Sequence, residues 1–363
     1  MNELDNVLAL AQNSYEREEY LKEIEFLEQA LKLTTNKKDT ASIYEKLGTS
    51  FYLLERTKEA KENYFLASEI LSGLPEDENK EAIWAVNNHL GAVFYDEGEY
   101  EKALIYRLKA FEYIEYFQSK DAFMLLTAIG VNYDELEAYD KAIDFYHKAL
   151  EVSVDSDDEK AVDLQLLGRC YDKKGEDRKA FRYYHELFSI DPDYDGGWYL
   201  TYRFAQLSYR FRNYEDSKKY LQEVITQIPS DQNRYIQSTH LLLGYNYIVK
   251  KEYNRALDEF NEALKIKMDF SERMADIYCG IAQAYFGLNK VGKAIKFGLK
   301  SLNKEYDEIV EERIYFLLAF CYGMRGIHKN KEKEGYYTEK LKSNFPNSAY
   351  LRELRLWGRP LHL

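Results

Sequence analysis

Proline and glycine are scarce in this chain, five and eighteen in 363 residues, and cysteine occurs only three times. A β-rich fold of this length needs many more turn residues than that, so the scarcity argues for long helices packed on one another. Cys170, Cys279 and Cys321 are widely spaced, odd in number and each set in an apolar helical pattern, which reads as buried, reduced thiols and a cytoplasmic setting, not a disulfide framework. The longest strongly apolar run, Tyr315 to Tyr322, falls far short of the roughly 18 to 20 residues that cross a bilayer. Membrane insertion is not expected. The acidic start Met1-Asn-Glu-Leu-Asp lacks a basic region followed by an apolar one, so export is not expected either.

Basic charge is also in deficit. Fifty Lys and Arg stand against 63 Asp and Glu, a net charge of −13, and such a field repels phosphate backbones and anionic lipid. Nucleic acid is not an expected partner. What the chain has in abundance is tyrosine, 34 residues.

An apolar residue followed by a small one recurs nine times: Leu10-Ala11, Leu47-Gly48, Leu90-Gly91, Ile129-Gly130, Leu167-Gly168, Phe204-Ala205, Leu243-Gly244, Ile281-Ala282 and Leu318-Ala319. Successive small residues are 37 to 43 positions apart, and in seven repeats an aromatic stands three further on, as in Phe94, Tyr133 and Tyr171. Ser14 and Ser208 break that rule, each with a Tyr directly after it. A second pattern follows each time: Tyr100, Ala103, Arg107, Ala110 in the third repeat; Tyr139, Ala142, Tyr146, Ala149 in the fourth; Tyr253, Ala256, Phe260, Ala263 in the seventh. Steps of three and four put these residues on one helix face, where small side chains admit a neighbouring helix and large ones fill beside it. Gly98 and Gly175 fall where a first helix must stop and turn.

These units resemble tetratricopeptide repeats, most clearly in Leu90-Gly-Ala-Val-Phe-Tyr-Asp-Glu-Gly-Glu-Tyr-Glu-Lys-Ala-Leu. They are longer than the family's 34 residues by about one helical turn, and its closing Pro appears only as Pro192, Pro229 and Pro346. In length they are similar to the variants in bacterial peptide-sensing regulators and kinesin light chains. The resemblance implies an all-α, right-handed superhelical solenoid of about nine helix pairs. The expected array is continuous over 1–342, with units near 4–40, 41–80, 84–120, 123–158, 161–195, 198–233, 237–271, 275–308 and 312–346. Residues 343–363 are expected to form a capping helix, with Trp357 covering the last repeat. The ninth unit carries about three extra residues around Lys329 to Lys333, and Ser72 to Lys80, the largest insertion, is a candidate hinge.

Two fragments imitate catalytic or metal motifs. Gly287-Leu-Asn-Lys-Val-Gly-Lys-Ala294 has phosphate-loop spacing, but Ala294 replaces the Ser or Thr that holds Mg²⁺ and the segment follows a helix, so nucleotide binding is rejected. Asp191-Pro-Asp-Tyr-Asp-Gly196 matches half an EF-hand loop, but Tyr202 stands where the twelfth-position Glu is required. The acidic run Asp155 to Glu159 reads as a solvated turn with helix-capping residues. The six His are dispersed. No enzyme activity, cofactor or metal is expected.

The resemblance places a partner in the groove lined by the first helix of each pair. The candidate binding residues are Asn88, Tyr95, Arg169, Lys173, Tyr199, Arg203, Gln206, Tyr209 and Arg210, a basic, tyrosine-lined stretch in an acidic chain. Such a stretch suits an acidic segment or a free C-terminal carboxylate, since Arg offers paired donors and Tyr rigid contact area. The alternative is that these cations pair with Asp134, Asp172 and Glu135 as surface bridges. A second, apolar surface is expected from Leu241, Tyr245, Ile248, Phe286, Phe316, Phe320 and Met324, either binding a helix or closed by the C-terminal cap. The functional expectation is a protein- or peptide-binding adaptor or scaffold. The alternative is a peptide-responsive bacterial signalling regulator whose superhelix changes shape on ligand; with no helix-turn-helix before the first repeat, direct DNA control is not expected.

Overall fold

The computed structural model of the chain describes residues 3–116, 119–153, 156–266, 273–304, 308–324 and 326–357, apart from the side chains of 119 and 355–357. All regular structure among them is helical. By contact the chain divides into two compact units, Met1–Tyr194 and Asp195–Leu363.

The first unit holds five antiparallel pairs: α1 (Glu3–Glu16) with α2 (Tyr20–Leu33), α3 (Lys37–Leu53) with α4 (Thr57–Ser72), α5 (Lys80–Asp96) with α6 (Tyr100–Phe111), α7 (Ser119–Glu135) with α8 (Tyr139–Val152), and α9 (Asp157–Lys173) with α10 (Asp177–Ile190). The second holds four: α11 (Trp198–Arg210) with α12 (Tyr214–Gln227), α13 (Asn233–Val249) with α14 (Tyr253–Lys265), α15 (Met274–Gly287) with α16 (Val291–Leu302), and α17 (Glu308–Gly323) with α18 (Lys331–Asn344). A last helix, α19 (Ala349–Trp357), packs on α17 and α18. Within each unit the chain is thus a tetratricopeptide-like solenoid.

The recurring small residue explains how each pair closes. A Cβ built on Gly48, Gly130, Gly168 or Gly244 would lie 2.6, 2.5, 2.3 or 2.4 Å from the ring of Tyr64, Tyr146, Tyr184 or Phe260, each sixteen residues later on the partner helix. The helices therefore approach closely only because the side chain is missing. Tyr64, Tyr146 and Phe260 are at most 1% exposed, and burying a ring of that size contributes about 1.5–3 kcal/mol.

The turn between paired helices is equally regular. Seven residues after the small residue the backbone is left-handed at Glu18, Glu55, Gly98, Glu137, Gly175, Arg212, Lys251 and Asn289, with φ between 56° and 74°. The next N–H then bonds back to the carbonyl of the aromatic or serine three after the small residue, as from Glu99 to Phe94 and from Glu176 to Tyr171, both 2.9 Å. This is a Schellman closure, made without glycine at six of the eight sites.

Behind that turn lies a repeated triplet. Phe94 stacks on Tyr106 under Lys102, Tyr133 on Phe145 under Lys141, Tyr171 on Tyr183 under Lys179, and Tyr285 on Phe297 under Lys293, with ring centroids 5.3–5.6 Å apart and the ammonium 4.9–5.4 Å from the first ring. In the last pair Tyr322 stacks on Tyr337 under Lys333, each second-helix residue three positions later than in the other repeats. That shift locates the ninth repeat's extra residues in the turn between α17 and α18, where Asn330 N–H closes on Tyr322 O at 2.9 Å.

The Ser72 to Lys80 insertion is folded: Glu76–Glu78 form a 3₁₀ turn, Lys38 Nζ donates to Glu78 O at 3.1 Å, Tyr113 Oη donates to Glu76 Oε1 at 3.1 Å, and Asn79 is 4% exposed.

Candidate functional site

In the first unit the side chains of α9 reach back to α7. Asp134 is 1% exposed, yet both its oxygens are used: Arg169 Nη2 donates to Oδ2 at 2.6 Å and Lys173 Nζ to Oδ1 at 2.8 Å. The two cationic side chains remain about 40% exposed. Arg169 sits one residue after Gly168, Lys173 five after, and Asp134 four after Gly130, so stacking one repeat on the next brings the three together. Two cations share one enclosed carboxylate, and the cluster carries one surplus positive charge. Lys173 Nζ also lies 5.6 Å from the Tyr139 ring centroid, and Arg169 Nε is enclosed without a partner.

Tyr95, on the adjoining α5, is half-buried; burial and the nearby Glu135 and Tyr100 raise its phenol pKa, against the pull of Arg107 and Arg169. Asn88, on the same helix, is part-buried, and its amide makes no hydrogen bond to the described residues. At α3 and α5, Tyr52 Oη donates to Asp96 Oδ2 at 2.5 Å, and burial with that contact pushes the phenol up to about 12. Of the carboxylates weighed against the cations, Asp134 holds both Arg169 and Lys173.

The remaining predicted basic residues are in the second unit, so the four cations are divided between the two. Arg203 is half-buried and donates to Gln206 Oε1 one turn on. Tyr199 is 50% exposed and packs edge-on to Tyr235, 5.7 Å away. Tyr209 sits against Tyr214 at 5.5 Å and the α13–α15 core, and burial raises its phenol to about 12. Arg210 is exposed.

The apolar candidates separate by depth. Leu241 and Tyr245 are 4% and 6% exposed, floor residues and not surface. Tyr245 is fixed there because its hydroxyl donates to Asp276 Oδ1 at 2.5 Å, the same oxygen that receives Arg313 Nη2 at 2.8 Å, while Arg313 lies 5.1 Å over the Tyr245 ring. Ile248, Phe286, Phe316 and Phe320 line a cavity of about 460 Å³, joined by Gln283, Arg313, Tyr350 and Glu353. Tyr350 of α19 stacks on Phe316 with centroids 4.5 Å apart, so the last helix covers part of this surface and the cavity remains beside it. Met324 lies outside it, in a second hollow with Gly292 and His328. The Trp357 side chain is outside the described residues.

Gly287 ends α15 and Val291 begins α16, so the phosphate-loop look-alike is an inter-helix turn; a Cβ at Gly287 would meet Tyr253 at 2.3 Å. In the EF-hand look-alike, Asp191 Oδ1 accepts from Asp193 N–H at 3.1 Å and Asp195 Oδ1 from Gly197 N–H at 3.3 Å, local turn bonds. Among the described residues no three of His, Cys, Asp and Glu converge as a metal site needs, and no helix is long and apolar enough to cross a membrane.

Sequence reasoning missed Arg107, Asp276 and Arg313 as site residues. For Arg107 the signal was present: it stands where other repeats carry an aromatic.

Comparison with known proteins agrees with the repeat reading. Residues 164–194 match the tetratricopeptide repeat family model, and no curated protein matches the chain. Similar solved structures include the apo form of RapI, 16% identical over 86% of this chain and 99% of that one with a TM-score of 0.49. A tetratricopeptide repeat protein from Parabacteroides merdae is 15% identical over 76% and 98% with a TM-score of 0.42. YrrB, described as a TPR protein with an unusual peptide-binding site, is 18% identical over 56% and 93%, also with a TM-score of 0.42.

Proposed function

We propose that this tetratricopeptide repeat protein is a protein- or peptide-binding adaptor, and that the first unit's groove takes an acidic segment or a free C-terminal carboxylate of its partner. The observation that carries the reading is the Asp134 cluster, where two half-exposed cations share one enclosed anion. A solvated ion pair needs one cation for each carboxylate and leaves nothing over. Here Asp134 positions Arg169 and Lys173 and neutralises only one of them, so donors and charge are left for a ligand. Tyr95 and Tyr139 flank them with rigid contact area, and Asn88 offers an unused amide to a peptide backbone.

The test is an array of twelve-residue peptides with free carboxyl termini, in acidic, neutral and basic sets, probed with the full chain and with Arg169→Glu/Lys173→Glu. Acidic peptides bound by the wild type and lost by the variant are expected. Equal binding by both proteins sinks the groove assignment.

A further inference from the structure

Internal repetition provides a control for each position. Opposite the packing glycine, four repeats place an aromatic: Tyr64, Tyr146, Tyr184 and Phe260. Opposite Gly91 the third repeat places Arg107, whose Cγ would lie 2.5 Å from a Cβ on that glycine. The stem does the same packing as the rings do elsewhere. The guanidinium is the difference.

Arg107 is 8% exposed. Its Nη1 donates to Ala128 O at 2.9 Å and to Asn132 Oδ1, both neutral acceptors. Asn132, fully buried, is held in turn by its Nδ2 on Tyr100 O at 3.3 Å. The Tyr95 ring lies 5.2 Å from the guanidinium carbon. Among the described residues Nε is enclosed and has no partner, Nη2 makes no hydrogen bond, and no carboxylate forms an ion pair with the group. Asp96, close enough to stabilise the charge, gives its Oδ2 to Tyr52 instead. A buried cation ordinarily has a counter-charge, because desolvating it unpaired costs several kcal/mol. Packing does not require this one, since tyrosine or phenylalanine fills the equivalent site without that cost.

We propose that Arg107 is the anion-receiving residue of the first unit's groove: a carboxylate of the bound partner accepts from its unpartnered Nε–Nη2 edge as Tyr95 turns aside. The proposal rests on the groove reading above and commits it to a buried residue on a second helix. The edge has two parallel donors, which match a planar carboxylate. Asp96 beside Arg107 and Glu135 beside Tyr95 favour a singly charged group over a dianion.

The experiment is fluorescence polarisation of fluorescein-labelled hexaglutamate with a free carboxyl terminus, at low ionic strength, against the full chain. Arg107→Tyr installs the residue that other repeats use, Arg107→Met keeps the apolar stem, and Arg169→Glu tests the groove itself; each variant is also melted. The proposal expects wild-type binding, at least tenfold weaker binding in both Arg107 variants, and a melting temperature in Arg107→Tyr equal to or above wild type. Wild-type affinity in both Arg107 variants overturns the Arg107 assignment, and a loss confined to Arg169→Glu leaves the groove reading standing. Weaker binding with a lowered melting temperature in both Arg107 variants also counts against it, as that marks an arginine that merely ties α6 to α7. No wild-type binding, or wild-type affinity in Arg169→Glu, removes both readings.

Discussion

Gly168 and Tyr184 occupy one another's space: a Cβ on the glycine would stand 2.3 Å from Tyr184 Cε1, and the tyrosine is 2% exposed. The contact sets the distance between α9 and α10. Gly168→Ala therefore overpacks a closed interface and is expected to destabilise the chain by about 1–3 kcal/mol in urea unfolding. Gly168→Ala/Tyr184→Leu should recover part of that loss, since the smaller side chain gives room.

Left-handed turns without glycine hold strain that glycine relieves. Lys251 has φ 61° and Glu137 φ 56°. Because an L-residue there costs about 1–2 kcal/mol and glycine's extra unfolded-state freedom returns part of the difference, Lys251→Gly and Glu137→Gly should each stabilise by about 0.5–1 kcal/mol. Thermal melts of the two variants check this, and equal or lower melting temperatures contradict it.

Asp163 is fully buried, with Thr127 Oγ1 on one oxygen at 3.1 Å and no partner on the other. Burial first, then Glu159, raises its pKa from 3.8 to about 7 against the Thr127 bond. The folded state thus holds the proton more tightly than the unfolded one. Its stabilising contribution is complete below pH 3.8 and is lost as the pH rises through about 7. Wild-type stability should fall as the pH rises from about 4 to about 7, by up to roughly 4 kcal/mol for this group alone. Asp163→Asn should flatten the profile and melt higher than wild type at pH 8.

The Asp134 cluster predicts an asymmetry. Arg169 and Lys173 are about 40% exposed and can turn to water when the carboxylate is lost, whereas Asp134 is enclosed and cannot. Arg169→Met/Lys173→Met should therefore cost more, about 2–4 kcal/mol, than Asp134→Asn, about 1 kcal/mol. Equilibrium unfolding of both variants reads the order, and the reverse order contradicts the enclosed-anion picture.

Cys170, Cys279 and Cys321 are all 0% exposed, and burial pushes each thiol up to about 12. Thiol-disulfide reagents need an accessible thiolate. None of the three should react in the native protein at neutral pH, and all three should on unfolding.

Much of the fold was legible because its signals are local. The small residue, the aromatic three later and the left-handed turn seven later all lie within one hairpin, so Leu90 to Leu104 announces its own pairing. The ninth repeat's insertion was visible as spacing too. At the site, legibility faded with depth. Ile248, Phe286, Phe316 and Phe320 were found as apolar positions and do line a cavity, but Leu241 and Tyr245, equally apolar in pattern, are buried, Leu241 in the core of α13 to α15 and Tyr245 with its hydroxyl held by Asp276.

The sequence by itself determined that helices form, where each pair turns back, and which side chain packs against Gly48, Gly130, Gly168 and Gly244, because these depend on residues about sixteen positions apart or fewer. Only the tertiary structure decided which charges meet. Arg169 finds Asp134 thirty-five residues away, and Arg313 finds Asp276 at thirty-seven. Those partnerships depend on how one repeat is rotated on the next, and a rotation of a single helical position substitutes a different neighbour. Arg107 shows both levels together: its place was written in the repeat, and its lack of a counter-charge appears only once α5, α6 and α7 are packed.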